Sequence, residues 1–113
     1  MGSKSRRKGC VGEREAAAEL RRLRLAPEAH RGRQYCGGSD SPDIGKGLPG
    51  CHIEVKRCES LSLYKAVEQA KADAGEKVPL VLHRRNHKPW LAVVELDSLA
   101  ALAVQVYLTL AQE

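Results

Sequence analysis

The sequence predicts an α/β domain: a mixed β-sheet of about five strands flanked by helices, in the order αβββαββα. Three observations carry that prediction. Residues 11–25 repeat apolar side chains at helical spacing and stop before Pro27. Residues 51–57, CHIEVKR, alternate apolar and polar as a strand does. A helix-patterned segment then lies between that strand and the continuous apolar run VPLVLH, which is a strand–helix–strand crossover with parallel neighbours. At 113 residues the chain fits one domain with one modest core.

The elements follow in order. Residues 1–9 are Gly, Ser, Lys and Arg after Met1, and read as a disordered basic arm ahead of a single domain over 10–113. In the first helix Ala16, Leu20 and Leu23 share a face, and Glu13, Ala17 and Leu20 fall at i, i+4 and i+7. Glu13 therefore belongs to the apolar edge. HRGRQYC, from His30, is a weakly signalled strand. GGSDSP is turn chemistry, and Asp43 and Ile44 open the next short strand. GKGLPG makes a hairpin loop into residues 51–57. On that third strand Cys51, Ile53 and Val55 point one way, and His52, Glu54 and Lys56 the other.

The second helix spans 62–74, with Leu63, Val67, Ala70 and Ala74 as its stripe, Ser60 or Ser62 as its cap and Gly75 as its stop. After VPLVLH, the turn RRNHKP leads into the strand WLAVVEL. Asp97 caps a third helix that is apolar on much of its circumference. That helix either covers the sheet or forms part of a dimer surface.

Charge is distributed unevenly. Residues 1–33 hold ten Lys/Arg against four acids, a net of +6, whereas the remaining 80 residues hold nine basic and ten acidic groups, a net of −1. A basic end on a small domain suggests a polyanion partner, most simply nucleic acid. Arg6, Arg7, Lys8, Arg14, Arg31, Arg33 and Lys46 are candidate phosphate contacts, with Arg84, Arg85 and Lys88 on the later turn. No apolar run approaches the ~20 residues of a membrane span, and the N-terminus lacks the apolar stretch of a signal peptide. The expectation is an intracellular protein. Of Cys10, Cys36, Cys51 and Cys58, the closest pair is seven residues apart, too far for a zinc knuckle, so free thiols are expected.

Glu54 and Lys56 occupy one strand face while Ile53 and Val55 pack on the other. A hairpin brings Asp43 alongside Glu54. Two carboxylates converging from adjacent strands suit a hard divalent cation, Mg²⁺ or Mn²⁺, and the Val55 backbone carbonyl is a further oxygen donor. Glu13, arriving from the first helix, is a possible third carboxylate. A cation so placed, with a lysine beside it, has the parts needed for phosphodiester hydrolysis.

PDI (Pro42–Ile44), followed eleven residues after Asp43 by EVK (Glu54–Lys56), resembles the motif of the PD-(D/E)xK nuclease superfamily. GEREAAAEL (Gly12–Leu20) is similar to the first helix of archaeal-type and phage Holliday junction resolvases within it. The resemblance covers residues 9 to about 96. It implies a restriction-endonuclease-like fold and a Mg²⁺-dependent endonuclease. The substrate it implies is a four-way junction, resolved by a homodimer in a bacterial or archaeal host or encoded by a phage. A general nuclease on duplex, nicked or flap DNA, or a non-catalytic DNA-binding module of the same fold, are the alternatives. By the same resemblance Asp43 and Glu54 are metal ligands, Lys56 is the catalytic lysine, and Glu13 is a further acidic site residue. Polar loop residues before the motif aspartate make Ser39 and Asp40 candidates. Asp40 is also the alternative motif aspartate, though Asp43 follows Pro42 and leads into Ile44. Gln69, on the second helix, falls where some relatives carry a site glutamine.

Overall fold

A computed structural model describes residues 2–32 and 43–112, with side chains from Val11 onward. Helix α1 runs Gly2–Arg22. It thus takes in residues 2–9, expected as a disordered arm. Lys and Arg are good helix formers, and no proline interrupts the run into the alanines. The helix also ends earlier than expected. Arg24 takes a left-handed conformation (φ 63°). Its N–H bonds the Arg21 carbonyl at 3.1 Å, and the Leu25 N–H bonds the Leu20 carbonyl at 3.0 Å. This Schellman closure, and not Pro27, sets the end.

Strand β1 (His30–Arg31) pairs antiparallel with β2 (Ile44–Gly45), Arg31 opposite Ile44. Strand β3 (Cys51–Arg57) pairs in parallel with β4 (Val78–Arg84), Glu54 opposite Val81, and β5 (Leu91–Val93) pairs antiparallel with β4. Helix α2 (Leu63–Ala74) makes the crossover, and a 3₁₀ turn (Leu96–Ser98) leads into α3 (Leu99–Ala111). The element order is the expected one. The sheet is not a single one of about five strands: β1–β2 and β3–β4–β5 are separate. β1 and β2 have two residues each, too few to carry a ladder across to β3. One main-chain bond spans the gap, from the Asp43 N–H to the Ile53 carbonyl at 3.0 Å. Most of the strand expected from His30 onward lies outside the described residues.

Helices α1 and α2 cover opposite faces of the larger sheet. On one face Ala16, Ala17 and Leu20 of α1 join Cys51, Ile53, Val55, Leu80 and Leu82 in a buried cluster. On the other, Ala66 and Ala70 of α2 close over Val81. The buried residues of α2 are Ala66, Ala70 and Ala74, at i, i+4 and i+8, with Val67 partly buried beside them. Of the expected stripe Val67, Ala70 and Ala74 pack inward, whereas Leu63 is exposed and Ala66 leads the stripe in its place. Small side chains let α2 approach the sheet closely. The polar face of β3 is thereby covered, and residues 51–55 are all buried.

At Gly12 a Cβ would stand 2.5 Å from Arg57 Cβ. Glycine here is what brings α1 against β3 and sets the depth of Glu13. Gly12→Ala gains roughly 1 kcal/mol of helix propensity but incurs about 1–3 kcal/mol of overpacking against a strand that cannot yield. Net destabilisation is expected, read as a lower urea midpoint at unchanged m-value.

Helix α3 is differently placed. Leu102 and Val106 lie half-buried against the main cluster, yet none of its residues is buried, and Leu99, Val104, Tyr107, Leu108 and Leu110 are exposed. Asp97 falls inside the 3₁₀ turn, and Ser98 takes the cap position with no side-chain bond. Among the described residues no helix is long and apolar enough to cross a membrane. Cys51 and Cys58 are free thiols, and burial pushes the Cys51 thiol up.

Candidate metal centre

Among the described residues, the buried side chains that are polar or charged are Glu13, Asp43, His52 and Glu54. Carboxylates are rarely buried without a partner, so three of them with a histidine in one small domain call for an account.

Strand periodicity places His52, Glu54 and Lys56 on the α2 face of β3, opposite Ile53 and Val55. Asp43, immediately before β2, reaches the β3 edge in two ways. Its N–H donates to the Ile53 carbonyl, and its Oδ2 accepts the Val55 N–H at 2.7 Å. In an extended strand a residue's N–H and C=O point to the same edge. The Val55 carbonyl is thus directed toward the Asp43 side, as a ligand there must be.

The Asp43 and Glu54 carboxyls interact directly. Burial first, then the Asp43 carboxyl beside it, push the Glu54 carboxyl up to about 8. Lys56 pulls it down, and Asp73 adds to the rise. Two carboxyls held together in a buried seam retain a proton at neutral pH, and a divalent cation can take that proton's place. The donor set of carboxylate oxygens with a backbone carbonyl fits a hard cation.

Helix α2 supplies the other wall. Lys56 Nζ donates to Gln69 Oε1 at 3.1 Å. One turn on, Asp73 faces Glu54 and His52, and His52 Nε2 lies 3.1 Å from Glu54 Oε1. A ligand atom from each of His52, Glu54 and Asp73 lies within 4.8 Å of the other two, close enough to hold a metal ion. Gln69, a possible site residue by resemblance, thus stands beside Lys56, and His52 and Asp73 join the group from outside the expected set. The alternation already put His52 on the Glu54 face. Asp73 follows from Gln69 by the i, i+4 spacing of a helix.

Glu13 is buried, and its Oε1 accepts from Arg31 Nε at 2.8 Å. Arg31 sits opposite Ile44, the neighbour of Asp43, so this ion pair stands beside the motif strand. Of the expected phosphate contacts, Arg31 is therefore engaged within the fold, Arg14 is exposed on α1, and Lys46 reaches Glu28 at 3.4 Å on the surface. Arg6, Arg7 and Lys8 lie on the α1 backbone ahead of the described side chains. Arg33, Ser39 and Asp40 lie outside the described residues. Arg84 joins Arg57 on Glu15 of α1. Comparison of the chain with protein families, with curated proteins and with solved structures gives no match.

Proposed function

We propose that this protein is a metal-dependent DNA endonuclease of the PD-(D/E)xK kind, hydrolysing phosphodiester bonds in branched DNA. The observation that carries the reading is the buried meeting of Asp43 with Glu54, with Lys56 on the same strand face and held by Gln69. A fold gains nothing from forcing two carboxyls together in a dry seam, because their repulsion is a cost to stability. Such an arrangement makes sense as a preformed cation site.

Asp43, Glu54 and the Val55 carbonyl would hold Mg²⁺ or Mn²⁺. Bound there, the cation supplies a more acidic water and neutralises charge developing on the phosphate. Lys56 orients the attacking water or holds a non-bridging phosphate oxygen, and Gln69 fixes where its ammonium points. The water oxygen forms the new bond to phosphorus and releases its proton to solvent, the bond to the leaving oxygen breaks, and that oxygen takes up a proton from solvent. The basic α1 supplies attraction to the DNA backbone that is independent of sequence. Gln69→Ala should leave DNA binding unchanged and lower the cleavage rate by about 3–10-fold, since a positioning contact and not a reacting group is removed.

A junction-resolving homodimer is the form of this reading that the resemblance favours. The apolar and largely uncovered α3 supports self-association. Val104→Glu combined with Leu108→Glu should convert a dimer to a monomer in light scattering. A wild-type chain that is monomeric at micromolar concentration would refute dimerisation. The test of the whole proposal is a gel assay on four-way junction, flap and duplex of matched sequence, with Mg²⁺ and with EDTA. Metal-dependent cutting of the junction supports the resolvase. Cutting of all three supports a general nuclease. Binding with no cutting under Mg²⁺ or Mn²⁺ refutes the enzyme and leaves a DNA-binding module.

A further inference from the structure

We infer that Glu54 is shared between two cation positions, and that the second, formed with His52 and Asp73, is selective for a transition-metal ion over Mg²⁺. The inference deepens the nuclease reading and rests on it for the first position, between Asp43 and Glu54.

Three observations support it. The first is ligand geometry. His52 Nε2 and Glu54 Oε1 stand 3.1 Å apart. Adjacent ligands around an octahedral cation with bonds of about 2.1–2.2 Å are separated by roughly 3.0–3.1 Å, so this edge is already at coordination spacing. Asp73 closes the triangle, with all three ligand atoms within 4.8 Å.

The second is rigidity. His52 and Glu54 are 3% and 5% exposed, locked at i and i+2 on the middle of a paired strand. Asp73 comes from α2, which is pressed on the sheet through Ala66, Ala70 and Ala74. Rigid elements, not loops, hold all three residues.

The third is chemistry. Mg²⁺ prefers oxygen donors and keeps much of its water. An imidazole nitrogen shifts preference toward Mn²⁺, Fe²⁺ and Zn²⁺. Glu54 faces an all-oxygen environment on the Asp43 side and a nitrogen-containing one on the α2 side. A bridging carboxylate between unlike positions follows.

The experiment uses Mn²⁺ alone on the full chain. Mn²⁺ binding is counted by electron paramagnetic resonance, and ¹⁴N coupling is read by electron spin echo modulation. Wild type should bind two Mn²⁺ per chain, one of them displaced by excess Mg²⁺, with ¹⁴N modulation on the one retained. Asp73→Asn, which keeps size and hydrogen bonding, should weaken that retained ion at least about tenfold. His52→Gln should abolish the ¹⁴N modulation, and Asp43→Asn should lose the other ion while keeping the modulation. A single Mn²⁺ per chain, or modulation that survives His52→Gln, overturns the inference. So does an Asp73→Asn protein that retains both ions with unchanged affinity. Failure of the nuclease reading looks different: two ions and intact ¹⁴N coupling, but no cleavage of any DNA.

Discussion

Asp43→Asn and Glu54→Gln should each lower Mg²⁺-dependent cleavage of branched DNA by on the order of 10³-fold. DNA binding measured in EDTA should stay within about threefold of wild type, because phosphate contacts and not the cation site carry affinity. The two changes act on one seam and should be far from additive: the double variant should be scarcely slower than either alone. Both substitutions keep the shape of the side chain. With Asp43→Asn the side-chain amide oxygen can still accept the Val55 N–H, so the strand edge is preserved while a negative charge is lost. At neutral pH the metal-free protein should become more stable, not less, since folding no longer has to take up a proton or bury a second charge in the seam. A loss of cleavage with raised thermal stability separates loss of a ligand from loss of fold. Full cleavage by either variant would sink the proposed centre.

The second large effect is on pH. The Glu54 carboxyl is raised to about 8, against 4.5 for an ordinary one. Between those values the folded chain holds a proton that the unfolded chain has released. Stability from this group is therefore complete below about pH 4.5 and is lost as pH rises through about 8. In EDTA, the unfolding free energy should fall between about pH 5 and about pH 9 by an amount on the order of a few kcal/mol. Saturating Mg²⁺ should abolish the trend over the same range, because the cation-bound native chain and the unfolded chain then both hold Glu54 deprotonated. Glu54→Gln should flatten the EDTA curve. Urea unfolding at several pH values, with and without the metal, makes the measurement. An EDTA curve that rises with pH would show Glu54 ionised in the native protein and contradict the shared proton.

Much of the centre could be read from residue order alone. The period of a strand is two, so Glu54 and Lys56 had to share a face. A turn between Ile44 and Cys51 had to return Asp43 to the same edge. These are local rules, and the geometry obeys them. Asp73 shares a helix face with Gln69 by local spacing, but which side of α2 packs on the sheet is a tertiary choice, made along Ala66, Ala70 and Ala74. His52 is visible in the alternation, but its burial is not: it follows from α2 lying over that face of β3. The N-terminal basic run was read by composition, while helix propensity, continuous into the alanines of α1, governs its backbone. The sheet fell into two parts because β1 and β2 hold two residues each, a length that the sequence pattern does not encode.

Asp43 also serves the architecture. Where β2 is too short to pair with β3, its carboxylate takes the role of a main-chain acceptor and receives the Val55 amide. The catalytic candidate is thus a stitch in the fold, and the seam closes only when that side chain is in place. One amide proton then becomes a gauge of the site: Val55 N–H. Its exchange with solvent requires the Asp43 bond to open, so it should exchange more slowly once a cation clamps the two carboxyls together. Loading of the centre can be followed at a single backbone resonance, in the absence of any DNA.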